Sequence, residues 1–105
     1  MSQRKKKALI LAGSRGIGNA ITKKLSKTCD VKSLSSNDCD TSDIEAMRNL
    51  AKKYKNVDIL VLNTGGPPSK DFFEISQQEW DQAHNQLFLG FCILLQNIKI
   101  NKNGY

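Results

Sequence analysis

The sequence has few of the residues from which metal sites, disulfide frameworks and cysteine–histidine catalytic pairs are built. It contains one histidine, His84, and three cysteines, Cys29, Cys39 and Cys92, whose spacing matches no metal-ligand motif. We therefore predict no metal site. The odd number of cysteines indicates reduced thiols, and we expect a cytoplasmic protein.

Long apolar segments, internal repeats and low-complexity tracts are also absent from the sequence. Without a continuous apolar stretch, the sequence predicts neither a signal peptide nor a transmembrane helix, and we expect no membrane partner. Of the 105 residues, 39% are hydrophobic and 25% are charged, which is typical of a packed domain. We therefore treat residues 1–105 as a single domain.

The formal net charge of +6 raises the question of a nucleic-acid partner. Part of this charge stands in the N-terminal cluster Arg4–Lys7, and the other lysines are scattered over predicted helical faces. No aromatic residue interleaves with the cluster, so we predict a solvated surface and do not expect nucleic acid as the main partner. Binding through the N-terminal lysines stays open as the weaker alternative.

Three segments have the pattern of β-strands. Residues 8–12 (ALILA) and 57–62 (VDILVL) are short apolar runs, as in strands that are buried on both faces of a parallel sheet. Residues 30–36 (DVKSLSS) alternate apolar and polar side chains and predict a more exposed strand. After residues 57–62, Pro67 and Pro68 prevent the chain from continuing as a strand.

Three amphipathic helices are predicted between and after these strands. The first begins near Gly16, and Ser42 with Glu45 forms a predicted capping box for the second. Ser76 with Glu79 forms a predicted capping box for the third. The alternation of strands and helices predicts an α/β fold with a parallel sheet and right-handed crossovers. The broad apolar face of the last helix comprises Trp80, Ala83, Leu87, Phe91, Leu94, Leu95 and Ile98.

The segment Leu9–Gly18 (LILAGSRGIG) places three glycines and Arg15 between the first strand and the first helix. A tight turn there directs several backbone N–H groups at one point, and the helix dipole adds partial positive charge. Glycines also let the backbone approach a pyrophosphate closely, so this context predicts a dinucleotide site. The alternative is a turn whose glycines serve backbone geometry alone.

At these residues the sequence resembles the short-chain dehydrogenases/reductases. Their TGxxxGxG motif falls on LAGSRGIG, where Leu11 and Ala12 replace the usual threonine and first glycine. We expect the neighbouring Gly13 to supply the backbone freedom that Ala12 lacks. The family's adenine-contacting aspartate falls on Asp40, and its Asn-Asn-Ala-Gly motif falls on Leu62–Gly65.

This resemblance implies a partial Rossmann-like fold, a parallel sheet of three to four strands with flanking helices. It also implies an oxidoreductase that acts on carbonyl or hydroxyl substrates with a nicotinamide dinucleotide, NAD or NADP, as cofactor. For Asp40, a role as a turn or cap residue stays open. The predicted cofactor-binding residues are Ala12, Gly13, Ser14, Arg15, Gly16, Ile17, Gly18, Ser35, Ser36, Asp40, Thr41, Asn63, Thr64 and Gly65.

The residues at the end of the second strand favour NADP over NAD. A carboxylate there would bind the ribose 2′-hydroxyl, whereas a nearby arginine accommodates a 2′-phosphate. The strand ends in Ser35, Ser36 and Asn37, and Arg15 lies in the glycine turn, so we expect NADP as the cofactor. NAD stays possible because one turn of chain could bring Asp38 to the ribose.

The family's catalytic serine and Tyr-x-x-x-Lys motif find no match in these 105 residues. Tyr54 is followed four residues later by Asp58, Tyr105 is the last residue, and an asparagine that assists in many members falls on Leu87. We therefore predict no catalytic residue here. From the resemblance we expect the chain to be the N-terminal, cofactor-binding half of a reductase, truncated and inactive alone. It would take a carbonyl substrate only with the missing half supplied. The alternative is a catalytically silent nucleotide-binding or protein-interaction module.

Such a half-protein is expected to leave two surfaces uncovered. The strand at 57–62 would form a sheet edge with unpaired N–H and C=O groups. On the last helix, Phe88, Phe91 and Leu95 would form an apolar patch that favours association. We therefore expect a marginal monomer that can form homo-oligomers through this helix.

Overall fold

The structure is a computed structural model that describes residues 5–66 and 69–105. Arg4 of the N-terminal basic cluster and the pair Pro67-Pro68 lie outside the described residues. Within the described ranges, no helix combines the length and the apolar character that crossing a bilayer requires.

The strands form a three-stranded parallel sheet, so the predicted α/β fold is confirmed. They are β1 (Lys7–Leu11), β2 (Asp30–Leu34) and β3 (Ile59–Val61), in the order β2-β1-β3. The central strand β1 pairs with both neighbours, and its residues from Ala8 to Leu11 are buried, as its apolar run predicts. β2 is more exposed and β3 is shorter than the predicted segment.

The helices occur where the sequence predicts them. The last predicted helix has a π-helical turn in its middle, and a short 3-10 turn precedes it. The helices are α1 (Gly16–Leu25), α2 (Ile44–Lys53), α3 (Gln77–His84) and α4 (Gly90–Asn97), with the 3-10 turn at Phe72–Glu74 and the π-helical turn at Asn85–Leu89.

The predicted capping box at the start of α2 is wrong. The N-cap is Asp43, whose side chain accepts a hydrogen bond from the Ala46 N–H at 3.1 Å. The Ser42 hydroxyl instead donates to the Asp40 carboxylate at 2.6 Å. Ser42 and Asp43 are both suitable N-cap residues. Because the Ser42 hydroxyl is engaged in the preceding turn, Asp43 serves as the cap and the helix begins one residue later than predicted.

The predicted capping box at the start of α3 is confirmed. The Glu79 N–H donates to the Ser76 hydroxyl at 3.1 Å, and the Ser76 N–H donates back to the Glu79 carboxylate at 3.1 Å. Lys70 Nζ also contacts this carboxylate at 2.9 Å. Hydrogen bonds from Lys70 and Ser76 lower the pKa of Glu79 from 4.5 to about 2.

The main core lies between one face of the sheet and the helices α2 and α4. Gly90 lets α4 approach closely, because a Cβ there would lie 1.9 Å from the carbonyl oxygen of Thr41. A smaller apolar cluster on the other face packs under α1. The buried residues of the main core are Leu9, Leu11, Leu34, Cys39, Met47, Leu50, Ala51, Val57, Leu94 and Ile98.

The apolar face of the last helix is only partly buried. Leu94 is fully buried, whereas Phe88 and Leu95 are 58% and 51% exposed, which confirms the predicted patch at these two residues. Phe91 is only partly buried and packs against the main core, so it contributes less to the exposed patch than Phe88 and Leu95. Ile98 lies just beyond the end of α4 and is buried.

β3 is an edge strand of the sheet, as predicted. The expectation that its outer backbone groups are unpaired is wrong at Val57, Asp58 and Leu60, which pair with the chain's C-terminal residues. The Asn101 N–H donates to the Val57 carbonyl, and the Tyr105 N–H donates to the Asp58 carbonyl, both at 2.8 Å. The Leu60 N–H donates to the Tyr105 carbonyl, also at 2.8 Å. The chain continues past α4 and runs beside β3, so these backbone groups find partners within the chain.

Candidate functional site

The turn between β1 and α1 contains two residues with left-handed backbone conformation. Ala12 has φ +53° and Gly16 has φ +54°. The expectation that Gly13 supplies the missing freedom is wrong, because Ala12 itself takes the conformation for which glycine is preferred. Gly13 instead permits close packing, since a Cβ there would lie 2.1 Å from the Ser33 hydroxyl oxygen.

Gly18 and Asn63 hold the turn from two sides. A Cβ on Gly18 would lie 2.0 Å from the carbonyl oxygen of Ala12, so only glycine lets α1 pack this closely on the turn. The Asn63 side chain, which follows β3, donates from Nδ2 to the same carbonyl oxygen at 3.2 Å. The turn is therefore tied to both the helix and the third strand.

The N-terminus of α1 differs from those of α2 and α3 in having no side-chain cap. Its N-cap residue is Arg15, which has an extended backbone, and its first turn contains no acidic residue. In α2 and α3 the N-cap side chains of Asp43 and Ser76 accept hydrogen bonds from helix N–H groups. At α1, the N–H groups and the positive end of the helix dipole therefore face an open site that suits an anion.

A cleft of about 350 Å³ opens at this helix N-terminus. It lies at the carboxyl ends of the parallel strands, where ligands bind in open α/β sheets. Nine of the predicted cofactor-binding residues line it: Ala12, Ser14, Arg15, Gly16, Ile17, Ser36, Asn63, Thr64 and Gly65. Gly13 and Gly18 pack beneath the turn and do not line the cleft.

Ser35 is engaged with Asp38 rather than with the cleft. Its N–H and its hydroxyl both donate to the Asp38 carboxylate at 3.0 Å. These hydrogen bonds lower the pKa of Asp38, and the charges of Lys32 and Lys53 lower it further. Asp38 lines a neighbouring cavity with those two lysines, so its carboxylate is not among the groups lining the cleft.

Asp40 and Thr41 also lie outside the lining of the cleft. Asp40 is exposed, and its carboxylate accepts from the N–H of Ser42 at 2.9 Å, which gives it the turn role that the sequence left open. Thr41 is buried, and its hydroxyl lies 2.9 Å from the hydroxyl of Thr64. Thr41 therefore supports Thr64, which does line the cleft.

Gln86 is a residue near the cleft that the sequence does not predict. Its side-chain amide donates to the Gly65 carbonyl and lies 3.4 Å from the Thr64 hydroxyl, so it holds the loop after β3. Gln86 lies in the π-helical turn between α3 and α4. Gln86 follows the polar residues His84 and Asn85, so no local pattern in the sequence distinguishes it or indicates which loop its side chain contacts.

The cysteines contribute no reactive group to the cleft. All three are free, and Cys29 and Cys39 are buried. Burial, and then the charges of Asp40 and Asp38, raise the pKa of the Cys39 thiol to about 11, so it stays protonated at neutral pH. Within residues 5–66 and 69–105, no group of three histidine, cysteine, aspartate or glutamate side chains could hold a metal ion.

No family model matches the sequence, and no curated protein matches it either. Solved structures do match its fold. A short-chain dehydrogenase from Burkholderia cenocepacia J2315, crystallised with NADP, is 25% identical over 94% of this chain and 52% of its own, with a TM-score of 0.79. A blue fluorescent protein from a metagenomic library, solved with NADPH, is 20% identical over 94% of this chain and 53% of its own, with a TM-score of 0.80.

A short-chain dehydrogenase/reductase from Serratia marcescens BCRC 10948 is 24% identical over 94% of this chain and 54% of its own, with a TM-score of 0.76. The resemblance inferred from the sequence motifs is therefore confirmed. The chain has the Rossmann-like fold of the short-chain dehydrogenases/reductases, and it spans about half the length of the structures that it matches.

Proposed function

We propose that the cleft at the N-terminus of α1 binds NADP(H), with the diphosphate over the glycine turn. The observation that carries this proposal is the uncapped helix, which meets a cleft that, among the described residues, is lined by Arg15 and Ser36 but by no carboxylate. Two structural neighbours were crystallised with NADP and NADPH, which supports the same cofactor here.

The residues present fit a dinucleotide phosphate. A Cβ on Gly16 would meet no atom of the described residues within 4 Å, so nothing in this part of the chain fills the space above the turn. Backbone N–H groups there would hold the diphosphate, and Asn63 would keep the turn in place through the Ala12 carbonyl. The exposed Arg15 and the Ser36 hydroxyl would bind the 2′-phosphate that distinguishes NADP from NAD.

We further propose that the chain belongs to the cofactor-binding part of an oxidoreductase acting on carbonyl or hydroxyl substrates, and that it is inactive alone. The bound nicotinamide would supply or accept the hydride. Tyr54 and Tyr105, the two tyrosines of the chain, lie away from the cleft, at the end of α2 and beside Asp58. This placement also favours the second candidate, a catalytically silent nucleotide-binding module.

Titration with NADPH and with NADH, followed by ligand fluorescence, tests the binding proposal. We expect NADPH to bind more tightly than NADH. Replacing Arg15 with alanine should weaken NADPH binding about tenfold or more, because a hydrogen-bonded charge pair contributes about 1.5–3 kcal/mol. NADH binding should change much less, since it has no 2′-phosphate.

Arg48→Ala is the matched control, because Arg48 is also exposed but pairs with Glu45 on α2, away from the cleft. It should leave both affinities unchanged. Tighter binding of NADH than of NADPH, or equal losses in the two arginine variants, would contradict the proposal. Measurable NADPH binding without carbonyl reduction would favour the silent module or an isolated cofactor-binding half over a complete enzyme.

A further inference from the structure

A lysine-rich surface, which we call the basic edge, lies around Tyr54. It consists of two adjacent clefts that share Tyr54 and Lys55. The larger cleft, of about 580 Å³, is lined by Lys52, Lys55, Lys99 and Lys102 together with three asparagines. The smaller cleft adds Lys7, Lys32 and Lys53.

The parallel fold assembles these lysines from distant parts of the sequence. Lys7 begins β1, and Lys53 is the last residue of α2. Residues 99–102 follow α4 and return beside Val57, just before β3. Because all strands run in one direction, their amino ends and the carboxyl ends of the helices meet at one edge of the sheet. Lysines that appear scattered in the sequence are therefore neighbours in space.

The basic edge carries more positive than negative charge. Its seven lysines are exposed, and none forms an ion pair with a carboxylate in residues 5–66 and 69–105. Asp30 is the only carboxylate among the residues that line the two clefts in this described part, and two more lie beside them. Asp38 shares a neighbouring cavity with Lys32 and Lys53, and the Asp58 carboxylate accepts hydrogen bonds from the Lys7 N–H and the Asn101 side chain. The lysines still outnumber these carboxylates. Lys52 and Lys53 also offset the dipole of α2, but Lys32, Lys99 and Lys102 lie outside helices. Such a surface suits a polyanion.

Aromatic rings accompany these charges. Tyr54 is half-buried at the junction of the clefts, and Lys53 Nζ lies 5.7 Å from its ring centroid. Outside the lining of the two clefts, Tyr105 is 73% exposed, and Lys6 Nζ lies 5.7 Å from its ring centroid. The sequence shows no aromatic residue beside the N-terminal lysines, and the fold brings Tyr105 there.

We propose that the basic edge binds single-stranded nucleic acid, with phosphates on the lysines and a base against the Tyr54 ring. Single strands offer closely spaced phosphates together with unstacked bases, and proteins bind them with positively charged grooves that carry aromatic rings. An acidic peptide or an anionic membrane also presents negative charge, but neither offers a planar base for stacking on the ring. The combination of charge and aromatic side chains therefore favours a single strand.

The basic edge is separate from the proposed cofactor cleft. Lys7 and Leu11 are the two ends of β1, and a strand of this length spans roughly 13 Å at about 3.3 Å per residue. Lys7 lines the basic edge, whereas the cleft begins at Ala12. The two proposals can therefore fail independently.

Binding of fluorescein-labelled oligothymidine, followed by fluorescence anisotropy at about 0.1 M salt, tests this inference. In the test variant, Lys55, Lys99 and Lys102 are replaced with glutamate. In the control variant, the same change is made at three exposed lysines around α1, Lys23, Lys24 and Lys27. Both variants lose the same net charge, so only the position of the charge differs. Circular dichroism and thermal unfolding of each variant check that the fold is intact.

We expect the test variant to bind oligothymidine about tenfold or more weakly, and the control about twofold or less. The salt dependence of binding should also become shallower in the test variant by about 2, since each phosphate contact on a single strand contributes about 0.7 to the slope. Equal losses in the two variants, or no binding by the unmodified chain, would overturn the inference.

Two further experiments distinguish binding of nucleic acid from binding of other polyanions. Tyr54→Leu keeps an apolar side chain at the junction but removes the ring, and it should weaken oligothymidine about fivefold or more while leaving binding of an abasic strand unchanged. Tighter binding to vesicles of anionic lipid or to polyglutamate than to oligothymidine would overturn the choice of partner. So would equal affinity for the abasic strand and oligothymidine.

Discussion

The side-chain amide of Asn63 donates a hydrogen bond to the carbonyl oxygen of Ala12, two residues that are 51 positions apart in the sequence. Gly18 packs against the same carbonyl from the side of α1. One backbone oxygen therefore joins the ends of β1 and β3 to the first helix. The shape of the proposed phosphate site depends on this junction.

Replacing Asn63 with alanine should destabilise the chain and weaken NADPH binding. Loss of a part-buried hydrogen bond costs about 1 kcal/mol, and the freed Ala12 carbonyl would let the turn move. Urea denaturation and NADPH titration measure the two effects. Asn49→Ala, on the exposed surface of α2, should leave both unchanged or slightly raise stability. Equal changes of stability and of NADPH affinity in the two variants would argue against a role of Asn63 in holding the turn.

Ala12→Gly should stabilise the chain. Ala12 has φ +53°, where a Cβ costs about 1–2 kcal/mol, part of which is offset by the greater freedom of glycine in the unfolded state. A net gain of about 0.5–1 kcal/mol should raise the midpoint of thermal unfolding by several degrees. Ala20→Gly, at an exposed position of α1, should lower it by a similar amount. A loss of stability in both variants would contradict the strain at Ala12.

Gly18→Ala should be among the most damaging small substitutions in the chain. The added Cβ would lie 2.0 Å from the Ala12 carbonyl oxygen and 2.8 Å from Asn63 Nδ2, so the turn or the helix must shift. Overpacking of this kind costs about 1–3 kcal/mol and should abolish tight NADPH binding. Gly66→Ala is the control, because a Cβ there would meet no atom of residues 5–66 and 69–105 within 4 Å. Calorimetry that showed equal stability for both variants would disprove the packing argument.

The start of α3 should lose stability in acid because of Glu79. Its pKa is lowered in the folded state from 4.5 to about 2, so its contribution is complete above pH 4.5 and is lost as the pH falls toward 2. Hydrogen exchange at the α3 amides, measured across this range, should show increasing opening. Glu79→Gln should remove most of this pH dependence, whereas Glu74→Gln in the preceding 3-10 turn should preserve it. An unchanged profile in Glu79→Gln would rule out this assignment.

Self-association should depend on the exposed face of the last helix. Phe88 and Leu95 are more than half exposed, and Phe88 also packs its ring beside His84. Replacing Phe88 with glutamate should shift the protein toward monomer, because a charge would have to be desolvated in any contact there. Sedimentation velocity at several concentrations measures the shift. A monomer of the unmodified chain at all concentrations would show that this face does not drive association.

Features carried by residue pattern were predictable from the sequence. The buried run Ala8–Leu11, the helical spacing after Gly16 and the Ser76–Glu79 capping box each depend on neighbouring residues, and the structure contains all three. Their alternation sufficed to predict the parallel sheet. Most of the predicted turn residues line one cleft because strand ends in a parallel sheet converge.

Features that depend on distant residues were not predictable. The sequence shows that Ala12 stands where glycine is usual. It does not show that Ala12 itself takes the left-handed conformation, in a turn held by the contacts of its carbonyl oxygen with Gly18 and Asn63. The pairing of Tyr105 with Asp58 joins residues whose local patterns contain no signal for it. The same holds for Gln86, whose contact with Gly65 depends on an irregular helical turn.

That irregular turn determines how far α4 is rotated about the common helix axis relative to α3. Each residue advances an α-helix by about 100°, so the wider turn at Asn85–Leu89 changes which side of α4 faces inward relative to α3. With this offset, Gln86 meets the loop at Gly65 while Gly90 meets the backbone of Thr41. Removing a single residue from the turn would restore regular winding, and the helix could then satisfy one of these two neighbours but not both.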